Sequence, residues 1–116
     1  TQSMSAMSEI RGAFDTNTAL VVTNTGAWNH GAMGSANAWT AMPGETPSGA
    51  VLESAVADNA NIVAHELGHY LNLDHSNDQG NLLHPIIYST STELTHGQCD
   101  EMRQTAMSVR AQALRT

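Results

Sequence analysis

The chain has 116 residues, 41% of them hydrophobic, a composition that suits one modest core and is that of a globular rather than a disordered chain. Its formal net charge is −7 and its four basic residues are all arginines, so it lacks the basic surface that binds nucleic acids or anionic membranes. No apolar run is long enough for a transmembrane helix, and the single cysteine excludes an internal disulfide framework. From the length we expect one domain over residues 1–116, and from the charge we expect no nucleic-acid or membrane partner.

One helix and three strands are predicted in the first half of the chain. Methionine and phenylalanine side chains at helical spacing predict an amphipathic helix over Ser3–Phe14. The run Ala19–Thr23 predicts a buried strand, and Ser35–Thr40 and Ala50–Val56 predict two more. The stretch 25–49 is rich in Gly, Asn, Ser and Thr, and irregular segments of this length are usually functional or poorly ordered.

The second half is predicted to begin with a strong helix. Asp58 or Asn59 caps this helix, which runs to about Leu73. A polar loop over Ser76–Asn81 and an apolar turn over Leu82–Ile87 follow it.

The last predicted helix begins after Thr95, whose spacing from Gln98 is that of a capping box. Apolar residues at helical spacing form its predicted buried stripe: Cys99, Met102, Ala106, Val109 and Ala113. Cys99 is therefore expected to pack in the core rather than to act as a redox or inhibitory thiol.

Residues 65–75 read HELGHYLNLDH and carry the chemistry of the chain. On a helix with about 100° per residue, His65 and His69 lie one turn apart and point the same way, and Glu66 flanks them. Apolar residues on the opposite side form the predicted core face: Val63, Leu67 and Leu71, with Ala60 and Ala64 beside them. This division between a polar face and an apolar face is what a helix at the floor of a cleft requires.

His75 is the third candidate ligand, and the chain must turn back to bring it to the other two. Asn72 is placed to make this turn, because asparagine tolerates the left-handed conformation at a helix C-terminus. Three neutral imidazoles with an open fourth position describe a catalytic zinc site, whereas structural sites are closed and usually use thiolates.

The pattern HExxHxxxxxH resembles the zinc signature of the metzincins, which normally carries glycine where this chain has Asn72. The segment LNLDHS is similar to the matrixins within that clan. This resemblance implies an α+β fold, a compact or truncated metzincin-like catalytic domain with a small twisted sheet, an active-site helix and a C-terminal helix. It also implies Zn²⁺ held by His65, His69 and His75, with Glu66 as the general base that takes a proton from water and delivers it to the leaving amine.

The segment Leu82-Leu83-His84-Pro85 resembles the matrixin form of the tight turn under the metal. Leu83 stands where metzincins have a methionine that forms an apolar base and is not a ligand, so a near-isosteric leucine should cost little. The resemblance implies that the following residues wall the substrate pocket, which makes Leu83, His84, Pro85 and Tyr88 candidate pocket residues. For Tyr88, a packed aromatic with a hydrogen-bonded hydroxyl is the favoured alternative.

The resemblance implies a peptide or protein substrate that pairs, extended, with a sheet edge within Gly31–Thr40 or Ala50–Val56. Together with the start at Thr1, which hints that an upstream segment was removed, it favours a secreted or extracytoplasmic enzyme. The oligomeric state has no signature in the sequence.

Two other functions stay open: a non-catalytic binding module that retains the metal, and a zinc hydrolase of a non-peptide amide. Glu66 favours an enzyme, because metal binding alone does not need that carboxylate. A second metal on His30, His84 or His96 is disfavoured, since these histidines are isolated in sequence from acidic partners. Glu93 is the acid that a different clan would use as third ligand, a place that His75 already fills.

Overall fold

The computed structural model describes residues 9, 12–13, 20–25, 38–45, 48–53, 56 and 58–114. Within these residues three strands come first and three helices follow: β1 (Val22–Thr25), β2 (Ala38–Thr40), β3 (Ala50–Glu53), α1 (Ala60–Tyr70), α2 (His96–Met107) and α3 (Ala111–Leu114). Strands that precede helices in this way give the predicted α+β architecture. The helix predicted over Ser3–Phe14 lies almost wholly outside the described residues.

The strands form one three-stranded sheet in the order β1-β3-β2. β3 is central and buried along its whole length, parallel to β1 and antiparallel to β2. It ends at Glu53, opposite Thr25, so the prediction of a strand reaching Val56 was too long. β1 begins at Val22, opposite the first residue of β3, so Leu20 and Val21 of the predicted strand precede it; Ala19 lies outside the described residues.

Helix α1 begins where the sequence predicts and ends earlier. The Asn59 side chain accepts hydrogen bonds from the backbone N–H groups of Asn61 and Ile62. At the other end Asn72 adopts φ 79°, and the Leu73 N–H bonds to the Gly68 carbonyl at 2.9 Å. These are the features of a Schellman-type helix end, so the turn predicted at Asn72 is confirmed and the helix stops at Tyr70 instead of Leu73.

Among the described residues, the buried cluster beside α1 meets the predicted core face only at Ala64. The predicted core residues Val63, Leu67 and Leu71 are only half-buried, and Ala60 is exposed. The buried cluster beside the helix consists of Leu73, Leu82 and Leu83, with Ala64, Leu94 and Met102 packed against it. The physical reason is Gly68, because a Cβ added there would lie 2.9 Å from Leu83 Cδ2. The missing side chain lets the 82–83 turn pack directly on the helix backbone.

Helix α2 begins with the predicted capping box between Thr95 and Gln98, which is present in both directions. The helix ends at Met107, and Ser108 leaves helical geometry with φ −121° and ψ −86°. The prediction that Val109 is buried is therefore wrong, since its side chain is 62% exposed. Arg110 is buried instead, and it donates from Nε to the Tyr70 carbonyl and from Nη2 to the Ala41 carbonyl.

Among the described residues, no helix combines the length and the apolar character needed to cross a bilayer.

Candidate metal centre

His65 and His69 are each held by a backbone carbonyl. His65 Nδ1 lies 2.8 Å from the Leu82 carbonyl oxygen, and His69 Nδ1 lies 2.7 Å from that of Leu73. A carbonyl accepts only, so both Nδ1 atoms carry the proton and donate it. The lone pair of each ring is thereby on Nε2, which is how metal-binding histidines are usually oriented.

The Nε2 atoms of the three histidines converge. His69 Nε2 lies 3.0 Å from His65 Nε2 and 3.1 Å from His75 Nε2. Two neutral nitrogens that both present lone pairs repel each other at this distance, and a cation between them removes the conflict. Tetrahedral zinc with Zn–N bonds of about 2.0–2.1 Å requires N···N separations of about 3.3–3.4 Å, close to those observed. The donor set therefore fits zinc.

Electrostatics favour the neutral imidazoles that a metal requires. Burial is the largest cause that lowers the pKa of His65, to about 4, and the neighbouring His69 and His75 lower it further. Burial also lowers the pKa of His75, again with help from His69. At neutral pH both rings are therefore uncharged and need lose no proton to bind a metal.

Glu66 lies beside this cluster and is 7% exposed. Its Oε1 accepts a 2.5 Å hydrogen bond from the Thr40 hydroxyl, and its Oε2 lies 3.9 Å from His65 Nε2. Burial raises the pKa of Glu66, while the Thr40 hydrogen bond and the nearby His69 act in the opposite direction. A buried carboxylate with a raised pKa is suited to accepting a proton from water.

A hydrogen-bonded turn forms the floor beneath the histidines. Leu83 is fully buried there, and its N–H donates to Asn81 Oδ1 at 2.9 Å. The Asn81 side chain makes two reciprocal bonds with Gln98, of 2.7 and 3.0 Å. The sequence interpretation missed Asn81, although asparagine side chains commonly accept from the backbone N–H two residues further on.

A cleft of about 580 Å³ opens above the cluster. It is lined by residues of β2 and the segment after it, of α1, and of the loops that follow α1. Its lining residues are Ala38, Trp39, Thr40, Met42, Glu45, Ile62, His65, Glu66, His69, Asp74, His75, Pro85 and Ile87. β3 pairs on both sides, so the alternative that Ala50–Val56 supplies a free edge is wrong.

The four candidate pocket residues occupy different places. Pro85 lines the cleft, and Leu83 lies buried beneath the helix. His84 and Tyr88 are not among the lining residues, and their ring centroids lie 5.9 Å apart. Their part in substrate binding stays a prediction.

Within the described part of the chain, His65, His69 and His75 are the only group of three potential ligands close enough to share a metal. Neither His84, His96 nor Glu93 joins such a group, and His30 lies outside the described residues. The alternative with Glu93 as third ligand has no support, because His75 occupies that place in the cluster.

The matrixin family model matches residues 7–105. The chain belongs to the matrixin family. The match includes the three histidines and the turn beneath them and ends within α2, so Arg110 of this matrixin lies beyond it. Searches of curated proteins and of solved structures gave no match.

Proposed function

We propose that this matrixin is a zinc-dependent endopeptidase in which His65, His69 and His75 hold Zn²⁺ and Glu66 is the general base. The observation that carries the proposal is the convergence of three Nε2 atoms beside a buried carboxylate. Residues 1–116 are proposed to form a single catalytic domain. A secreted or extracytoplasmic location is part of the proposal and rests on the family alone.

Each group has a distinct role in this mechanism. Bound zinc supplies Lewis acidity for the scissile carbonyl and for the attacking water. Glu66 accepts the proton of that water on Oε2, the oxygen that Thr40 leaves free, and delivers it to the leaving amine. The carbonyls of Leu82 and Leu73 keep His65 and His69 in the tautomer that presents Nε2.

The proposed substrate is an extended peptide or protein segment that runs along β2. Among the described strands β2 pairs only with β3, and it lines the cleft, so we expect its other edge to pair with such a segment. Trp39, Ile62 and Ile87 supply apolar lining, whereas Glu45 and Asp74 are acidic and exposed. We expect substrates with neutral or basic residues to be cleaved faster than acidic ones, because like charges repel.

The test is cleavage of a peptide library by the zinc-loaded protein, by the protein treated with a chelator, and by the treated protein after zinc is restored. Cleavage should be lost with the metal and return with it. Glu66→Ala should bind zinc stoichiometrically and lose activity by about 100-fold or more, as expected for a general base. The control Glu93→Gln changes an exposed carboxylate outside the cluster and should stay active.

Three outcomes would contradict the proposal. Full proteolytic activity of Glu66→Ala would exclude the mechanism. Stoichiometric zinc without cleavage of any peptide would favour the non-catalytic binding module. Hydrolysis of small amides without cleavage of peptides would favour the non-peptide hydrolase.

A further inference from the structure

The Thr40 side chain connects β2 to the proposed general base. Within the described residues, this is the one hydrogen bond that the structure shows between them. Its hydroxyl donates to Glu66 Oε1 at 2.5 Å across a separation of 26 residues. Both side chains are buried, with relative exposures of 8% for Thr40 and 7% for Glu66. A short bond between two buried groups, one of them ionisable, belongs to the stronger class of protein hydrogen bonds.

The bond distinguishes the two oxygens of the carboxylate. Oε1 is occupied by Thr40, whereas Oε2 lies 3.9 Å from His65 Nε2, on the side of the histidine cluster. The last torsion of a glutamate side chain is broad and two-fold, so packing alone does not fix the plane of the carboxylate. The Thr40 hydroxyl fixes it and leaves the other oxygen directed at the cluster.

Thr40 is itself held firmly enough to do this. It is paired with Ala50 of the central strand, and the Ala41 N–H bonds to the Gly49 carbonyl at 3.1 Å. The Ala41 carbonyl accepts from Arg110 Nη2 at 3.3 Å. Threonine is also β-branched, which restricts its first torsion and therefore the direction of its hydroxyl.

We propose that Thr40 is a positioning residue for this matrixin, which holds the Glu66 carboxylate in the orientation that takes the proton from water. This inference rests on the proposed function, because it assigns a role within the same reaction. Serine preserves the hydroxyl that the role requires, whereas alanine and valine lack it. Serine and alanine differ only by that hydroxyl oxygen, so their comparison isolates the hydrogen bond.

The first experiment measures kcat and KM of the zinc-loaded Thr40→Ser, Thr40→Ala and Thr40→Val proteins on a peptide that the wild type cleaves. We expect kcat of Thr40→Ala and Thr40→Val to fall by about 10- to 100-fold, with KM within about twofold of wild type. Thr40→Ser should stay within about threefold in kcat. All variants should retain stoichiometric zinc. Thr105→Val, a buried threonine in α2, is the matched control and should leave kcat unchanged.

The second experiment measures unfolding of the same zinc-loaded proteins in denaturant, with and without Glu66→Ala. We expect Thr40→Ser to be more stable than Thr40→Ala when Glu66 is present, and this difference to vanish in the Glu66→Ala background. A difference that persists without Glu66 would show that the hydroxyl bonds elsewhere and would overturn the assignment.

The activity results also separate this inference from the proposed function. A wild type that cleaves no peptide overturns both. An active wild type with an equally active Thr40→Ala overturns only the role of Thr40. Equal losses of kcat in Thr40→Ser and Thr40→Ala would overturn it as well, because a hydroxyl-dependent role requires rescue by serine.

Discussion

Gly68 lies in the last turn of α1, at the point where the helix backbone contacts Leu83 in the turn beneath the histidines. A Cβ built at this position would be 2.9 Å from Leu83 Cδ2 and 3.3 Å from Leu83 Cδ1. Replacing Gly68 by alanine therefore tests whether the 82–83 turn is packed as tightly against the helix as the structure shows.

Two opposing effects decide the stability of Gly68→Ala. Alanine is better than glycine in a helix interior by about 1 kcal/mol. Overpacking of a filled core costs about 1–3 kcal/mol. Leu83 is fully buried and packed beside Leu73 and Leu82, so we expect any shift of its methyl groups to disturb these neighbours. We expect the steric cost to prevail and Gly68→Ala to be destabilised by about 1 kcal/mol, or about 4 °C in Tm.

The measurement is thermal and urea unfolding of the zinc-loaded protein. Gly97→Ala is the matched control, because its added Cβ would meet only Thr95 Oγ1 at 3.9 Å, and this substitution should be neutral or stabilising. In a Leu83→Ala background the cost of Gly68→Ala should disappear, since the conflicting methyl groups are gone. If Gly68→Ala were as favourable as Gly97→Ala, the proposed packing of the floor would be refuted.

Three further predictions concern charge and backbone conformation. Burial lowers the pKa of His65 from 6.5 to about 4. As the pH falls, the unfolded chain therefore binds a proton on His65 before the folded protein does. Urea titrations of the metal-free protein should show stability decreasing as the pH is lowered from about 6.5 to 4. Burial raises the pKa of Glu66, which opposes this loss, so Glu66→Gln should steepen it. A flat profile in Glu66→Gln would contradict the His65 shift, and equal slopes in the two proteins would contradict the Glu66 shift. Arg110→Ala should lower the free energy of unfolding in urea by about 2–4 kcal/mol, because two buried carbonyls lose their donor. The control Arg103→Ala removes an exposed ion pair and should lower it by less than about 0.5 kcal/mol. Equal effects of the two substitutions would contradict the burial of Arg110. Asn72→Ala should lower the free energy of unfolding by about 1 kcal/mol, because alanine is strained at the φ of 79° that Asn72 adopts. Asn72→Gly should lower it by less than Asn72→Ala does. The reverse order would exclude the left-handed turn.

The features that the sequence predicted best are those encoded within a few residues. The Asn59 cap, the Thr95–Gln98 capping box and the turn at Asn72 each depend on side chains at most three positions from the backbone they affect. The spacing of His65, His69 and His75 is likewise local, since a helix and its C-terminal turn suffice to bring them together. These parts of the site could therefore be derived without knowledge of the tertiary fold.

The errors occurred where a distant contact decides the outcome. The predicted core face of α1 meets the buried cluster only at Ala64, because the Gly68–Leu83 contact spans 15 residues and leaves no periodic pattern in the helix. Val109 was expected to be buried because the helical spacing was extended across the turn at Ser108. The Thr40–Glu66 bond had no sequence signal, since a threonine in a short strand has many roles.

The buried guanidinium of Arg110 has a consequence for the order in which the site assembles. It bonds to the end of α1 across 40 residues and to the segment after β2 across 69 residues. Contacts of such sequence separation require closure of long loops and form late in folding. The histidine ligands all lie in one local segment. The Arg110 contacts that connect the segment after β2 to the end of α1 need a residue near the end of the described chain. Metal affinity and hydrolytic competence should therefore arise at different stages, with capture of the ion preceding the final alignment of the base.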